Sequence, residues 1–157
     1  MKQLEITSHI NQCQPEELSK NDQQLISMAI EATNRSYARY SHFHVGAAVE
    51  LANGQQIIGC NQENAAFPAG LCAERTAIFA AGAQYPDQPV VCLAIAARGT
   101  DGELTQEPIS PCGTCRQVII ETETRFNHPV RILLYGRSKT YVINGIRELM
   151  PLSFTEF

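Results

Sequence analysis

The sequence predicts an α/β fold, a single mixed sheet with helices on its faces, and three observations lead there. Helical and strand-like patterns follow one another in the order helix, hairpin, helix, strand, helix, strand, strand. Val90 to Ala97 is an unbroken β-branched and apolar run, the mark of a central strand covered on both faces. Asn53-Gly54 lies between two short strand-like runs, which is the strongest short-range signal for a hairpin.

Residues 1–20 are polar and weakly patterned, and read as an amino-terminal extension to a single domain over 21–157. From about Lys20 to Ser36, Leu25, Met28, Ala29 and Ala32 recur at three- and four-residue steps, one face of a helix that Asn21 or Asp22 is placed to cap. Val45 to Leu51 and Gln56 to Cys60 form the hairpin. After a loop over Asn61 to Leu71, the Ala-rich stretch Cys72 to Ala83 reads as a buried helix. The central strand follows, then a polar loop from Arg98 to Ser110. A further helix begins near Pro111-Cys112-Gly113 and runs to about Thr122, with Val118, Ile119 and Ile120 inward. Val130 to Tyr135 and Lys139 to Ile143 are strands around Gly136, and a short helix over Ile146 to Met150 stops at Pro151. The sheet expected from these runs has five strands.

Composition excludes several classes of function. At 157 residues with 44% apolar and 18% charged side chains, the chain is an ordinary globular domain. A formal net charge of −4 and the absence of a basic run disfavour a nucleic-acid partner. Six cysteines are too few for a disulfide scaffold of this length, so free or metal-bound thiols in a reducing compartment are expected. No stretch approaches the ~20 apolar residues of a membrane span, and the amino end lacks the apolar core of a signal peptide. These readings place the chain in the cytoplasm, with no membrane partner.

Three of the cysteines do not look like packing. Cys112 and Cys115 stand in Pro-Cys-Gly-Thr-Cys at the head of a predicted helix, where a three-residue step puts both sulfurs on one face. Cys72 heads the other predicted helix. A helix amino terminus favours the thiolate form that binds metal. Three protein thiolates on zinc leave the fourth position for water; a fourth ligand, for which Cys60 is the candidate, would make the site structural. A lone C-x-x-C is also compatible with a redox pair or with packing, and cysteine spacing alone leaves these readings open. Cys13, Cys60 and Cys92 read as small apolar residues, Cys60 being also the candidate fourth ligand. Glu74, two residues after Cys72, changes the balance. Taken alone it is a solvated acid at a helix start. Together with the downstream Pro-Cys-x-x-Cys it completes the pattern of zinc-dependent nucleobase deaminases, in which the Glu moves protons and is not a ligand.

The chain resembles the cytidine deaminases of the homotetrameric, three-cysteine type. The resemblance is carried by Tyr40-Ser41-His42-Phe43-His44-Val45-Gly46-Ala47-Ala48, by Gly59-Cys60-Asn61-Gln62-Glu63-Asn64-Ala65 and by Cys72-Ala73-Glu74-Arg75-Thr76-Ala77. It continues through Ser110-Pro111-Cys112-Gly113-Thr114-Cys115-Arg116-Gln117 to Glu148-Leu149-Met150-Pro151-Leu152-Ser153-Phe154, in the family order. It implies a three-layer α/β/α fold with a mixed five-stranded sheet. It further implies one Zn²⁺ per chain on Cys72, Cys112 and Cys115, with Glu74 as the proton shuttle. By the same resemblance Asn61 and Glu63 hydrogen-bond the ribose, Phe43 lines the nucleoside pocket, and the Ala73 backbone contacts the pyrimidine. Arg75 would offset the negative charge of a three-thiolate zinc site. Phe154 would enter a neighbouring subunit's site in a homotetramer. The implied reaction is hydrolytic deamination of cytidine, and of 2′-deoxycytidine, in pyrimidine salvage.

The sequence departs from the family pattern at Arg39, His44 and Gln62, and none of these removes a catalytic group. Three rival readings make distinct demands. A structural zinc module needs a fourth ligand and no Glu74. A nucleic-acid-editing deaminase needs basic surface. A deaminase of another pyrimidine-like small molecule would share the zinc site and differ only in the pocket.

Overall fold

The computed structural model describes residues 1–155. Helix α1 (Lys20–Thr33) is capped by Ser19, whose hydroxyl accepts from the Asp22 N–H at 3.1 Å. The expected caps, Asn21 and Asp22, lie inside the helix. Asp22 is buried there and pairs with Arg131, a partner more than a hundred residues away that no local pattern could show. The hairpin consists of β2 (His44–Leu51) and β3 (Gln56–Cys60), with Gly54 at φ +82° in its turn, a conformation glycine adopts without strain. Helix α2 (Ala73–Gln84), strand β4 (Val90–Arg98) and helix α3 (Gly113–Phe126) follow. α3 extends a turn beyond its apolar face and ends where Asn127 takes the left-handed conformation. β5 (Arg131–Tyr135) and β6 (Thr140–Asn144) complete the expected strands.

The sheet has six strands rather than five. The sixth, β1 (Asn11–Cys13), comes from within the amino-terminal twenty residues and pairs antiparallel with β6, Gln12 opposite Tyr141. Asn11 and Gln12 are polar and exposed and only Cys13 is half-buried against the core, so the strand is held mainly by backbone pairing and leaves little hydrophobic trace in the sequence. The strand order is β1-β6-β5-β4-β2-β3, and only β4 and β5 run parallel. A parallel pair needs a crossover, which α3 supplies. The closing helix is a 3-10 turn over Ile146–Glu148, shorter than the expected segment to Met150.

Alternation along the strands divides the core between the two faces. Ala47, Val49 and Leu51 of β2 with Leu93 and Ile95 of β4 face α2 and α3. Ala48, Cys92, Ala94 and Ala96 face Leu25, Ile26 and Ala29 of α1. The result is three layers. Two glycines set how closely the layers approach. A Cβ at Gly46 would lie 2.0 Å from the Ala29 carbonyl oxygen in α1, and one at Gly59 would lie 2.3 Å from the Ala77 nitrogen in α2. The contact at Gly59 seats the first turns of α2 directly on β3, beside the segment that carries Asn61 and Glu63.

Candidate active site

Cys72 is the residue immediately before α2, and Cys112 the residue immediately before α3. Both are extended, and neither sulfur caps its own helix. Cys115 lies one turn into α3 and is fully buried. The Cys72 and Cys112 sulfurs are 3.8 Å apart, and all three sulfurs lie within 4.8 Å of one another. Tetrahedral coordination at a Zn–S distance of about 2.3 Å requires sulfurs about 3.8 Å apart, so the cluster fits zinc. Among the described residues, Cys60 is not part of this cluster, and its sulfur instead receives a hydrogen bond from the Gln62 amide at 3.2 Å. Three cysteines with no fourth ligand in the cluster among the described residues match the ligand count of a catalytic zinc site.

The groups around the sulfurs divide the protons unequally. Hydrogen bonding from Cys115, then from Arg75 and Cys112, draws the Cys72 thiol down to about 5 against the opposing effect of burial. The Cys115 thiol is pushed up by donating to Cys72 and by its own burial. Arg75 Nη2 approaches the Cys72 sulfur at 3.5 Å. Glu74 is 5% exposed, and burial, followed by the nearby Cys72 charge, raises its carboxyl above the ordinary range. A carboxyl so raised retains its proton closer to neutrality, as a group that alternates between acid and base requires.

These residues open onto a cavity of about 660 Å³, within the size range of small-molecule sites. Cys72, Ala73, Glu74, Arg75 and Cys112 line it together with Phe43, Asn61 and Glu63. The chain at 61–63 is held between two neighbours: Gln62 exchanges backbone hydrogen bonds with Leu71 at 2.8 and 2.9 Å, and the Glu63 N–H donates to the Tyr37 carbonyl at 2.9 Å. Side chains two apart on an extended segment share a side, which brings Asn61 and Glu63 together. Asn61 accepts from the Val45 N–H at 2.8 Å and donates to the Phe43 carbonyl at 2.9 Å. The Glu63 carboxylate receives the Ser41 hydroxyl and the Tyr40 and Ser41 N–H groups. The Ser41 hydrogen bond is the main reason it is held below the ordinary carboxylate range.

Phe154 stands apart from this group. It is 65% exposed, its carbonyl accepts from the Gln117 amide at 3.1 Å, and it does not line the cavity of its own chain. Two side chains for which the sequence suggested no role are closely engaged with the site. Ser41 binds Glu63, as above. Arg116 donates to the Pro111 carbonyl at 2.8 Å, the Leu149 carbonyl at 2.8 Å and the Ser110 hydroxyl at 3.1 Å. It thereby ties the approach to Cys112 to the carboxy-terminal segment. Its position immediately after Cys115 was the available signal.

Comparison with known proteins agrees with this geometry. The cytidine and deoxycytidylate deaminase zinc-binding region matches residues 19–127. A cytidine deaminase of Halalkalibacterium halodurans is 43% identical over 141 residues, which span 85% of this chain and 93% of that protein. The crystal structure of a cytidine deaminase from Burkholderia pseudomallei superposes with a TM-score of 0.72 at 36% identity, covering 84% of this chain and 98% of the other. That of Mycobacterium tuberculosis superposes with a TM-score of 0.67 at 27% identity, covering 88% of this chain and 100% of its own. With a match across most of its length and a three-sulfur cluster suited to zinc, the chain belongs to the zinc-binding cytidine and deoxycytidylate deaminase family.

Proposed function

We infer that the protein catalyses the hydrolytic deamination of cytidine to uridine and ammonia. The observation that carries this reading is the placement of buried Glu74 between a three-thiolate cluster and a cavity of nucleoside size. Cys72, Cys112 and Cys115 would hold one Zn²⁺ per chain, and zinc so held supplies a water that is nucleophilic at neutral pH. Glu74 takes a proton from the attacking water and delivers it to ring nitrogen N3, which makes C4 electrophilic. It takes the second proton from the tetrahedral centre and gives it to the amino group, which then leaves as ammonia. Acid–base work of this kind contributes about 10²- to 10⁴-fold in rate. The starts of α2 and α3, together with Arg75, present positive charge to the sulfurs and offset the excess negative charge of three thiolates.

Asn61, Glu63 and Phe43 bind the ribose side of the nucleoside, and the Ala73 backbone faces the pyrimidine. Both cytidine and 2′-deoxycytidine are substrates in this reading, which places the enzyme in pyrimidine salvage in the cytoplasm. Among the described residues no helix is long and apolar enough to cross a membrane. The catalytic domain spans 21–157, and residues 1–20 add an edge strand to it. Four copies assemble, with the exposed Phe154 of each entering a neighbour's site. Sedimentation would test the assembly, and Phe154→Ala should lose activity while a fully active monomer would refute it. Incubation of the zinc-loaded protein with cytidine should yield uridine and ammonia in equal amounts. Absence of both products would transfer the reading to another pyrimidine-like substrate.

A further inference from the structure

Ser41 is exposed, lies at the mouth of the cavity and bonds to two parts of the same wall. Its hydroxyl donates to Glu63 Oε1 and accepts from the Phe43 N–H at 3.1 Å. Glu63 Oε2 accepts from the Tyr40 N–H at 2.7 Å and the Ser41 N–H at 3.2 Å. An ionised carboxylate has about four acceptor positions. Three are filled by residues 40 and 41, and the one that remains is on Oε1, the oxygen whose direction the Ser41 hydroxyl fixes. Phe43 is tied in turn to Asn61 through its carbonyl, at 2.9 Å. One hydroxyl therefore connects the Glu63 carboxylate to the Phe43 backbone, which in turn holds the Asn61 amide, and all three residues line the cavity.

We propose that Ser41 is a positioning residue for nucleoside binding: it orients Glu63 so that the carboxylate presents a single acceptor to one sugar hydroxyl. The proposal rests on the reading of Glu63 as a ribose contact. It does not involve the reacting end of the cavity, where Glu74 and the sulfurs lie. Loss of the Ser41 hydroxyl leaves Oε2 on its two backbone N–H donors but removes the donor that fixes Oε1, which is then open to water, so the effect should appear in binding and not in the chemical step.

The test uses the full-length, zinc-loaded protein as parent, Ser41→Ala, Glu63→Gln and the double variant. KM and kcat are measured with cytidine, Kd with uridine, and zinc content and Tm for each protein. Ser41→Ala should raise KM and the uridine Kd roughly tenfold, the scale of one hydrogen bond to a charged group, with kcat within about twofold of the parent. In the Glu63→Gln background the same substitution should change either constant by less than about twofold, because its effect acts through that carboxylate. An unchanged KM and Kd, an equal effect in both backgrounds, or a fall in kcat and zinc content alongside KM would each overturn the proposal. A parent that binds uridine in a Ser41-dependent way but does not turn over cytidine would refute the assigned reaction while leaving Ser41 in place. A parent that does neither refutes both.

Discussion

The Arg75 guanidinium lies 3.5 Å from the Cys72 sulfur, so a permanent cation rests against the thiolate that begins α2. Arg75→Ala removes the positive charge nearest a three-thiolate site. The expected result is weaker zinc retention, by about ten- to a hundredfold in affinity as for other residues that support metal ligands, read as metal lost to a chelator over time. Unchanged zinc content and unchanged turnover would contradict it.

Arg116 spreads its fork over Pro111, Ser110 and Leu149. Each of these hydrogen bonds contributes on the order of 1 kcal/mol. Arg116→Ala should lower both Tm and zinc content, because the loop that delivers Cys112 loses its anchor to the carboxy-terminal segment. Arg116→Lys should recover little, since an ammonium lacks the planar geometry that reaches three acceptors. Thermal melts with parallel metal analysis separate these outcomes.

Gly59→Ala places a methyl group 2.3 Å from the Ala77 nitrogen and 2.6 Å from the Ala73 carbonyl oxygen, both backbone atoms that cannot rotate away. Overpacking of this kind costs about 1–3 kcal/mol. For a chain of this size that corresponds to roughly 2–4 °C of Tm per kcal/mol. Because the displaced turn begins with Cys72, turnover should fall as well as stability. A variant that melts and turns over like the parent would show that α2 can shift without disturbing the site.

Glu63 is held below the ordinary carboxylate range, first by Ser41. A group with a lowered pKa in the folded state contributes its stabilisation above the unfolded value of about 4.3 and loses it as pH falls through the folded value. The Glu63-dependent part of the uridine affinity, parent against Glu63→Gln, should therefore stay level from neutrality down to about pH 5, and a decline in that difference centred nearer pH 6 would contradict this assignment of the carboxylate.

Much of this organisation is legible in the sequence where it depends on local pattern. The Asn53-Gly54 turn and the β4 run require only short-range rules, and both appear where expected. The three-cysteine cluster is legible because helix starts and three-residue spacing place sulfurs predictably. What is hidden depends on distant partners. β1 forms because β6 offers an open edge, and two polar residues beside one cysteine give no sign of it. Asp22 belongs to Arg131 rather than to its own helix end, and α3 runs a turn past its buried Ile119 and Ile120 until Asn127 turns the chain. Ser41 and Arg116 stand within recognisable motifs, but their roles reside in hydrogen bonds that only the folded chain creates.

The central claim is that Glu74 moves the protons at a zinc site built from Cys72, Cys112 and Cys115. Its most direct test is ultraviolet-monitored turnover of cytidine by the zinc-loaded protein beside Glu74→Gln at matched zinc content. The parent should convert cytidine rapidly to uridine, and the variant should lose at least about 10²-fold in kcat with zinc still bound. Equal turnover by the two proteins would contradict it.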